Sequence, residues 1–498
     1  MSPRPGPNRD VAVIDVGSNS VRLVLYRLEG RAIWPVFNEK VLAGLGRDLP
    51  RTGRLSPEGV EAAMGALRRF RVVLESAPPD QLFATATAAV REARDGPDFV
   101  ARVKAETGLD IRVLSGRQEA QFSALGVVAG EPGAQGVAGD LGGSSLELIR
   151  LHHGAPKSGE TLPLGPFALG APKDLDEAAV RRACTAALDG VSGDFKAEEF
   201  HAVGGAWRAL AQLHMSMSGY PLRVVHQYQI SASEAYDEAA LIARQSRTSL
   251  GRIQGISKKR LETLPYAAVV LQTLIERLQF KRITISAFGL REGLLFNAMT
   301  PDLVAQAPLL AGCMAMGTRF GVTEGLGAAL DAWLAPAWRQ LEPLHGDRDA
   351  LLTRAACELA DVGAMLHPDH RADLAFNQVL YAPVPGQSHA ERAFLARTVH
   401  ARHTSQDSAE VQATVSRLLT PQRNRRARAL GAAMRLASDL AARRPALLAR
   451  CSLAILKDTV TLTVDPDGAD LLLGEQTGKR LETLAKALEL TPRLRLGK

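Results

Sequence analysis

Residues 11–28 read VAVIDVGSNSVRLVLYRL, and residues 137–151 read VAGDLGGSSLELIRL. In the first stretch apolar residues alternate into Asp15, the chain turns through Gly17, Ser18, Asn19 and Ser20, and the alternation resumes. Period-two alternation on both sides of a short polar turn is the pattern of a β-hairpin. The second stretch repeats it, with Asp140 ending a strand and Gly142, Gly143, Ser144 and Ser145 turning. The two Asp lie 125 residues apart, which predicts two homologous lobes rather than a short-period solenoid.

The composition of both turns suits an anion. Glycine lets backbone N–H groups approach a phosphate closely, and short hydroxyl or amide side chains add donors. Asp15 and Asp140, each just before its turn, have the chemistry to hold Mg2+ directly or through water, and Glu147 on the strand leaving the second turn can reach the same ion. Turn geometry alone also accounts for Asp, Gly and Ser in one hairpin. Two copies with matching Asp positions favour the phosphate reading.

Between the hairpins, Gln81–Thr87 (QLFATAT) reads as a strand, followed by a helix opening near Ala88 that carries Arg91. A second strand, Ile111–Leu114, leads into Ser115-Gly116-Arg117-Gln118, the S-x-x-Q spacing of a capping box. Glu119 then falls in the first turn of a helix. A carboxylate there can accept a proton from attacking water, or simply complement the helix N-terminus. Arg91 can clamp phosphate with its planar fork, or sit on the surface.

The 498 residues are too many for one core and predict three or four domains. Aromatic content is only 5%, so the core is expected to be Leu, Val and Ala. No segment has about 18 uninterrupted apolar residues, so no membrane-spanning helix is expected. Residues 1–10 read as a disordered leader, without the apolar stretch of a signal peptide. Cys184, Cys313, Cys357 and Cys451 lack a metal-ligand or disulfide spacing, which fits a reduced, cytoplasmic chain. Residues 401–450 hold ten Arg, no Lys and three acids, a net +7 equal to the formal charge of the whole chain. Arg423, Arg425, Arg426 and Arg428 are its densest part. The cluster suits a polyanion track, or is the solvated face of a helix.

Together these stretches resemble the exopolyphosphatase / guanosine pentaphosphate phosphohydrolase (Ppx/GppA) family of the actin-like, sugar-kinase and Hsp70 ATPase superfamily. DVGSNS at 15–20 is similar to the family's first phosphate loop, ATATAAVREA at 84–93 to its T-x-x-x-R-x-A stretch, and SGRQEA at 115–120 to its S-G-x-x-E-A motif. GDLGGSSLEL at 139–148 resembles its second loop, D-[IL]-G-G-G-S-x-E, with Ser144 where a third glycine is usual. AVGGAWRAL at 202–210 and ISAFGLREGLL at 285–295 resemble its later glycine loop and its closing helix start. The resemblance implies Glu119 as catalytic base, Arg91 as phosphate-binding arginine, and Asp140 and Glu147 as metal acids, with Asp15 joining through water.

The implied fold class is α/β: two duplicated actin-like (ribonuclease H-like) lobes at 11–130 and 131–305, an all-α HD-like domain at 306–450, and a small α+β domain at 451–498. CELADVGAMLHPDHRADLA (357–375) is similar to the HD core, but the family's His–Asp pair falls on Ala360-Asp361, so its first ligand is missing. His367, His370, His400 and His403 are the candidates for a rebuilt metal site, and a structural domain lining a channel is the favoured reading. SLAILKDTVTLTVDPDGADLLL after residue 451 alternates as strands, with a closing helix at Thr477–Leu490. The implied activity is exopolyphosphatase: removal of terminal phosphates from inorganic polyphosphate with Mg2+, and with K+ as an activating ion. The implied assembly is a homodimer, and neither DNA nor a membrane is expected as a partner. Guanosine pentaphosphate and tetraphosphate are the rival ligands; a kinase of the same superfamily and a non-catalytic polyphosphate or alarmone binder are the other readings.

Overall fold

The protein is described by a computed structural model covering residues 8–251 and 261–497. Residues 1–7 of the expected leader lie outside the described residues. Arg9 and Asp10, assigned to that leader, instead open the first strand, where the Asp10 carboxylate accepts from the Arg27 guanidinium at 2.9 Å. The chain divides into two compact units, the first ending at Ala305 and the second beginning at Gln306.

Two mixed sheets organise the first unit. β1 (Arg9–Val16), β2 (Val21–Glu29), β3 (Ala32–Val41), β4 (Gln81–Ala86) and β5 (Arg112–Val113) form a sheet of order β3-β2-β1-β4-β5. β6 (Gly136–Leu141), β7 (Leu146–His152), β8 (Ala155–Leu162), β9 (Glu199–Val203), β10 (Tyr228–Ser231) and β11 (Arg282–Ile285) form the other, of order β10-β11-β9-β6-β7-β8. Reading from each hairpin, β3-β2-β1-β4-β5 matches β8-β7-β6-β9-β11, so the duplication seen in two turns extends across both sheets. β1 pairs antiparallel with β2 and parallel with β4, as β6 does with β7 and β9.

Each sheet buries one face against its own helices. Ile14 and Leu23 pack with Met64, Leu67 and Phe70 of the helix Pro57–Ser76, an amphipathic helix with Pro at its start. Phe200 and Ile283 pack with Trp207 and with the almost wholly buried helix Leu264–Leu278. The opposite faces share a third core. Val11, Val13 and Tyr26 from one sheet and Ala138, Ile149 and Leu151 from the other meet on two helices, Gly116–Gly130 and Leu290–Asn297. Placing 116–130 inside the first lobe is therefore incomplete: that helix belongs to the junction of both lobes.

The second unit is largely helical, with a small sheet of β12 (Cys451–Leu456), β13 (Thr459–Val464) and β14 (Thr491–Leu496). Residues 451–497, expected as a separate small domain, fall in the same compact unit as 306–450. The Trp333 indole N–H donates to the Cys451 carbonyl at 3.1 Å. Asp361, where the HD resemblance leaves one ligand, is fully buried between the guanidinium groups of Arg402 (3.2 Å) and Arg443 (2.8 Å). His400 points to Asp373 and Arg397, His403 to the Val362 carbonyl, and His367 is exposed. These histidines do not converge, and no three His, Cys, Asp or Glu among the described residues form a metal cage. All four cysteines are buried free thiols, and no described helix is long and apolar enough to cross a membrane.

The two junction helices touch through glycine. A Cβ added to Gly126 would lie 2.1 Å from the Gly289 carbonyl oxygen, and one on Gly293 would lie 1.7 Å from that of Phe122. Alanine normally gains about 1 kcal/mol over glycine in a helix interior, whereas overpacking costs roughly 1–3 kcal/mol or more. With a backbone atom as the obstacle, the clash wins. Gly126→Ala is expected to lower stability by at least about 1–3 kcal/mol in denaturant titrations. Gly65→Ala, at a helical site with nothing within 4 Å, is expected to raise it by up to about 1 kcal/mol. The same sign for both would remove the close-packing argument.

Candidate active site

The two turns close with the same bond: Gly17 N–H donates to Ser20 O, and Gly142 N–H to Ser145 O, each at 2.9 Å. Register places Asp15 opposite Arg22 and Asp140 opposite Glu147. The repeat thus carries a cation in one lobe and a carboxylate in the other at the same position. The loop after β3 supports the first turn, with Gly44 N–H donating to Asn19 O and Gly46 N–H to Ser18 O. The turns themselves approach closely, since a Cβ on Gly143 would lie 3.0 Å from that of Ser18.

Between them runs a cleft of about 370 Å³. Asp15, Gly17, Ser18, Asn19, Ser20, Glu119, Asp140, Gly142, Gly143, Ser145 and Glu147 all line it, so eleven of the thirteen residues expected here come together. Ser144 does not: its hydroxyl is buried beside Gly46 and has no hydrogen-bond partner. Nor does Arg91 reach the cleft. Its Nη1 donates to Glu119 Oε2 and to the Leu114 carbonyl, both at 2.9 Å, so it holds the acid.

Glu119 is aimed by its helix start. Ser115 Oγ accepts from Gln118 N–H at 3.3 Å and Gln118 Oε1 accepts from Ser115 N–H at 3.1 Å, the reciprocal box expected from the spacing. The next side chain is Glu119, 8% exposed and open to the cleft. Burial pushes its carboxyl up to about 7; the Arg91 hydrogen bond opposes this, and the Asp140 and Asp15 charges add to it. Glu147 is driven well above the ordinary carboxylate range by burial and by its neighbours Glu119 and Asp140. Burial raises Asp15 and Asp140 too, against nearby arginines.

This carboxylate set fits a hard divalent cation. Glu147 Oε1 is buried without a hydrogen-bond partner, and a divalent cation would relieve the acids further than the cleft arginines do. Mg2+ takes one or two carboxylates and fills its octahedron with water and phosphate oxygens, so a full protein cage is not needed.

Four cations of the cleft went unread as site residues in the sequence: Arg22, Lys40, Arg208 and Arg291. Asp15, Arg22 and Lys40 form one row across β1, β2 and β3. Alternation hid Arg22, because a charged residue between apolar ones reads as the solvent face of a strand. Arg291 opens the second junction helix, where Glu292 accepts from Gly289 N–H at 3.0 Å and from the Tyr26 hydroxyl at 2.7 Å.

In the second unit the four arginines of the expected track divide. Arg423 donates to the Leu344 carbonyl and Arg426 to that of Glu342, so both are tied to backbone. This corrects the expectation of one basic surface, since three-residue steps on a helix keep 423 and 426 on one side. Arg425 and Arg428 face the other way, lining a second cavity of about 400 Å³ with Arg435, Arg480 and Lys486.

A model of the Ppx/GppA phosphatase family matches residues 24–301, more than half of the chain. The chain belongs to that family. A model described as exopolyphosphatase, C-terminal, matches residues 345–492. Exopolyphosphatase 1 of Mycobacterium tuberculosis is 25% identical over 309 residues, covering 59% of this chain and 89% of that protein. The Mycobacterium leprae protein of the same name is 26% identical over 307 residues, covering 59% and 90%. Among solved structures, a Cytophaga hutchinsonii exopolyphosphatase superposes with a TM-score of 0.55 at 21% identity, covering 58% of this chain and 98% of that one. An Aquifex aeolicus family member gives 0.51 at 24%, covering 58% and 97%. These structural likenesses concern the fold alone.

A carboxyl whose folded value is raised stabilises the fold below its unfolded value, and that contribution is lost as pH rises through the folded value. For Glu119 the window runs from about 4.5 to about 7. In divalent-free buffer, Glu119→Gln is therefore expected to gain stability over the native chain across that window, by up to roughly 3 kcal/mol, and to level off above it. A difference that does not vary with pH would show that the acid carries no such strain.

Proposed function

We propose that this family member is an exopolyphosphatase, which removes terminal phosphates from inorganic polyphosphate by water attack. The observation that carries the reading is the convergence of two phosphate-type turns, a carboxylate of raised proton affinity and four cations in one cleft. None of the described residues lining it is aromatic, so no aromatic face among them is offered to a nucleobase, which favours a bare phosphate chain over a nucleotide.

The terminal phosphate accepts hydrogen bonds from the turns at Gly17–Ser20 and Gly142–Ser145, while Arg22, Lys40, Arg208 and Arg291 offset its charge. Glu119 takes a proton from water as the water oxygen bonds to phosphorus and the bridging P–O bond breaks, leaving orthophosphate and a chain one unit shorter. Arg91 orients Glu119 and favours its ionised form against the pull of burial. Asp140 and Glu147, with Asp15 through water, would hold Mg2+, which supplies neutralisation of charge developing on the transferred group. K+ as an activating ion, a homodimeric state and a cytoplasmic location with reduced thiols belong to the same proposal. Residues 306–450 act in it as an HD-like domain without a metal, and the pocket of Arg425, Arg428, Arg435, Arg480 and Lys486 as the polyanion track.

The deciding experiment compares phosphate release from long polyphosphate with that from guanosine pentaphosphate, under one Mg2+ and K+ condition. Release mainly from the nucleotide would make the chain a guanosine pentaphosphate phosphohydrolase, and binding without turnover a regulator. Glu119→Gln is expected to lower turnover by roughly 10²–10⁴-fold with little change in KM; native-like turnover would remove Glu119 as base. Replacing Arg428, Arg435 and Lys486 together by Gln is expected to raise KM for long chains and leave tripolyphosphate unaffected. Equal losses on both substrates would exclude the track.

A further inference from the structure

Glu119 and Ser123 are four residues apart on the helix Gly116–Gly130 and so share one face, about one turn apart along the axis. Glu119 turns to the cleft. Ser123, 1% exposed, directs its hydroxyl proton to Asp140 Oδ2 at 2.5 Å, across from the junction helix to the end of β6. A serine inside a helix usually faces solvent or bonds back to the carbonyl four residues earlier. Here the hydroxyl reaches another element, and its partner is one of the cleft carboxylates.

We propose that Ser123 is a positioning residue for the divalent cation, acting through Asp140; this rests on the reading of Asp140 as a metal acid. A carboxylate at a strand end rotates about its last torsion, and a short hydrogen bond to one oxygen fixes that rotation. The second oxygen is then presented to the cleft in one direction. Because the donor sits on the helix that carries Glu119, a shift of that helix moves the base and the metal acid together. The backbone contacts at Gly126 and Gly293 restrict such shifts, so the distance between base and metal acid is set within the junction rather than by closure of the lobes. Groups that hydrogen-bond to a metal-ligating side chain typically govern 10–100-fold in metal affinity.

The test is binding of Mn2+ to the full-length protein without substrate, followed by electron paramagnetic resonance, alongside Mg2+ titration of turnover. Two variants bracket the donor's role: Ser123→Ala removes it with some volume, and Ser123→Cys replaces it with a larger, weaker donor. Both are expected to bind Mn2+ about 10–100-fold more weakly. Their turnover should approach the native value at high Mg2+, with KM for polyphosphate at saturating Mg2+ unchanged. Native-like Mn2+ affinity in both variants would overturn the proposal, as would a loss confined to Ser123→Ala, which would mark a packing role. If Ser123→Ala does not fold, Ser123→Cys decides alone. Absence of Mn2+ binding by the native chain would instead sink the metal assignment on which the proposal rests.

Discussion

Burial and charge oppose one another in the cleft between the two hairpins, and much of the local architecture is arranged around that opposition. Asp15, Glu119, Asp140 and Glu147 are all held where desolvation favours their protonated forms. Glu119 also feels Asp140 and Asp15, and Glu147 feels Glu119 and Asp140. A fold selected for stability alone would replace such a set with apolar side chains, because buried ionic groups seldom return their desolvation cost. What holds them is a frame of fixed donors: Arg91 on Glu119, Ser123 on Asp140, and arginines at the cleft wall. The arrangement makes sense for a ligand that brings both signs of charge, phosphate oxygens for the arginines and a cation for the acids.

Duplication explains how one chain assembles both halves. The two hairpins share turn geometry, strand pairing and the Asp before the turn, yet differ at the residue seven positions on, Arg22 in one and Glu147 in the other. The helices that follow the two last parallel strands also correspond. Each opens with its third residue capping the preceding backbone N–H, Gln118 for Ser115 and Glu292 for Gly289, and the pair packs together through glycine. The next position holds Glu119 in one helix and Gly293 in the other. A symmetric frame therefore carries an asymmetric set of side chains, with Arg22 in one hairpin where Glu147 stands in the other.

Short-range signals were the legible ones. The turns, the Asp before each, the capping box at Ser115, the strand before it and the helix after it could be read because period-two alternation and helix-start chemistry are local properties. The strand edges shifted only slightly, as at Arg112–Val113 within the expected 111–114. Packing partners were not legible. Nothing in residues 116–130 says that their helix buries one face on each lobe, and nothing near Arg91 says that its guanidinium is used on Glu119, 28 residues on. β14 was not read: TPRLRL opens on Thr-Pro, which argues against a strand, and its Arg–Leu alternation spans only four residues.

The basic segment marks the limit of composition as a guide. Ten arginines in fifty residues read as one surface, but a helix distributes them around its axis, and each face meets a different environment. On the helix Pro421–Ala441, Arg423 and Arg426 cap carbonyls of the 342–344 stretch, while Arg425, Arg428 and Arg435 turn to a cavity shared with Arg480 and Lys486. Arg402 and Arg443 are used on the buried Asp361. A guanidinium with five donors in a fixed fork serves backbone carbonyls and a buried carboxylate as well as it serves phosphate. Net charge therefore overstates the cationic surface of this unit. Within that cavity, too, Arg425 pairs with Glu489 at 2.9 Å and Arg480 with Asp439 at 2.8 Å, so the share of this charge left for an anion is smaller again.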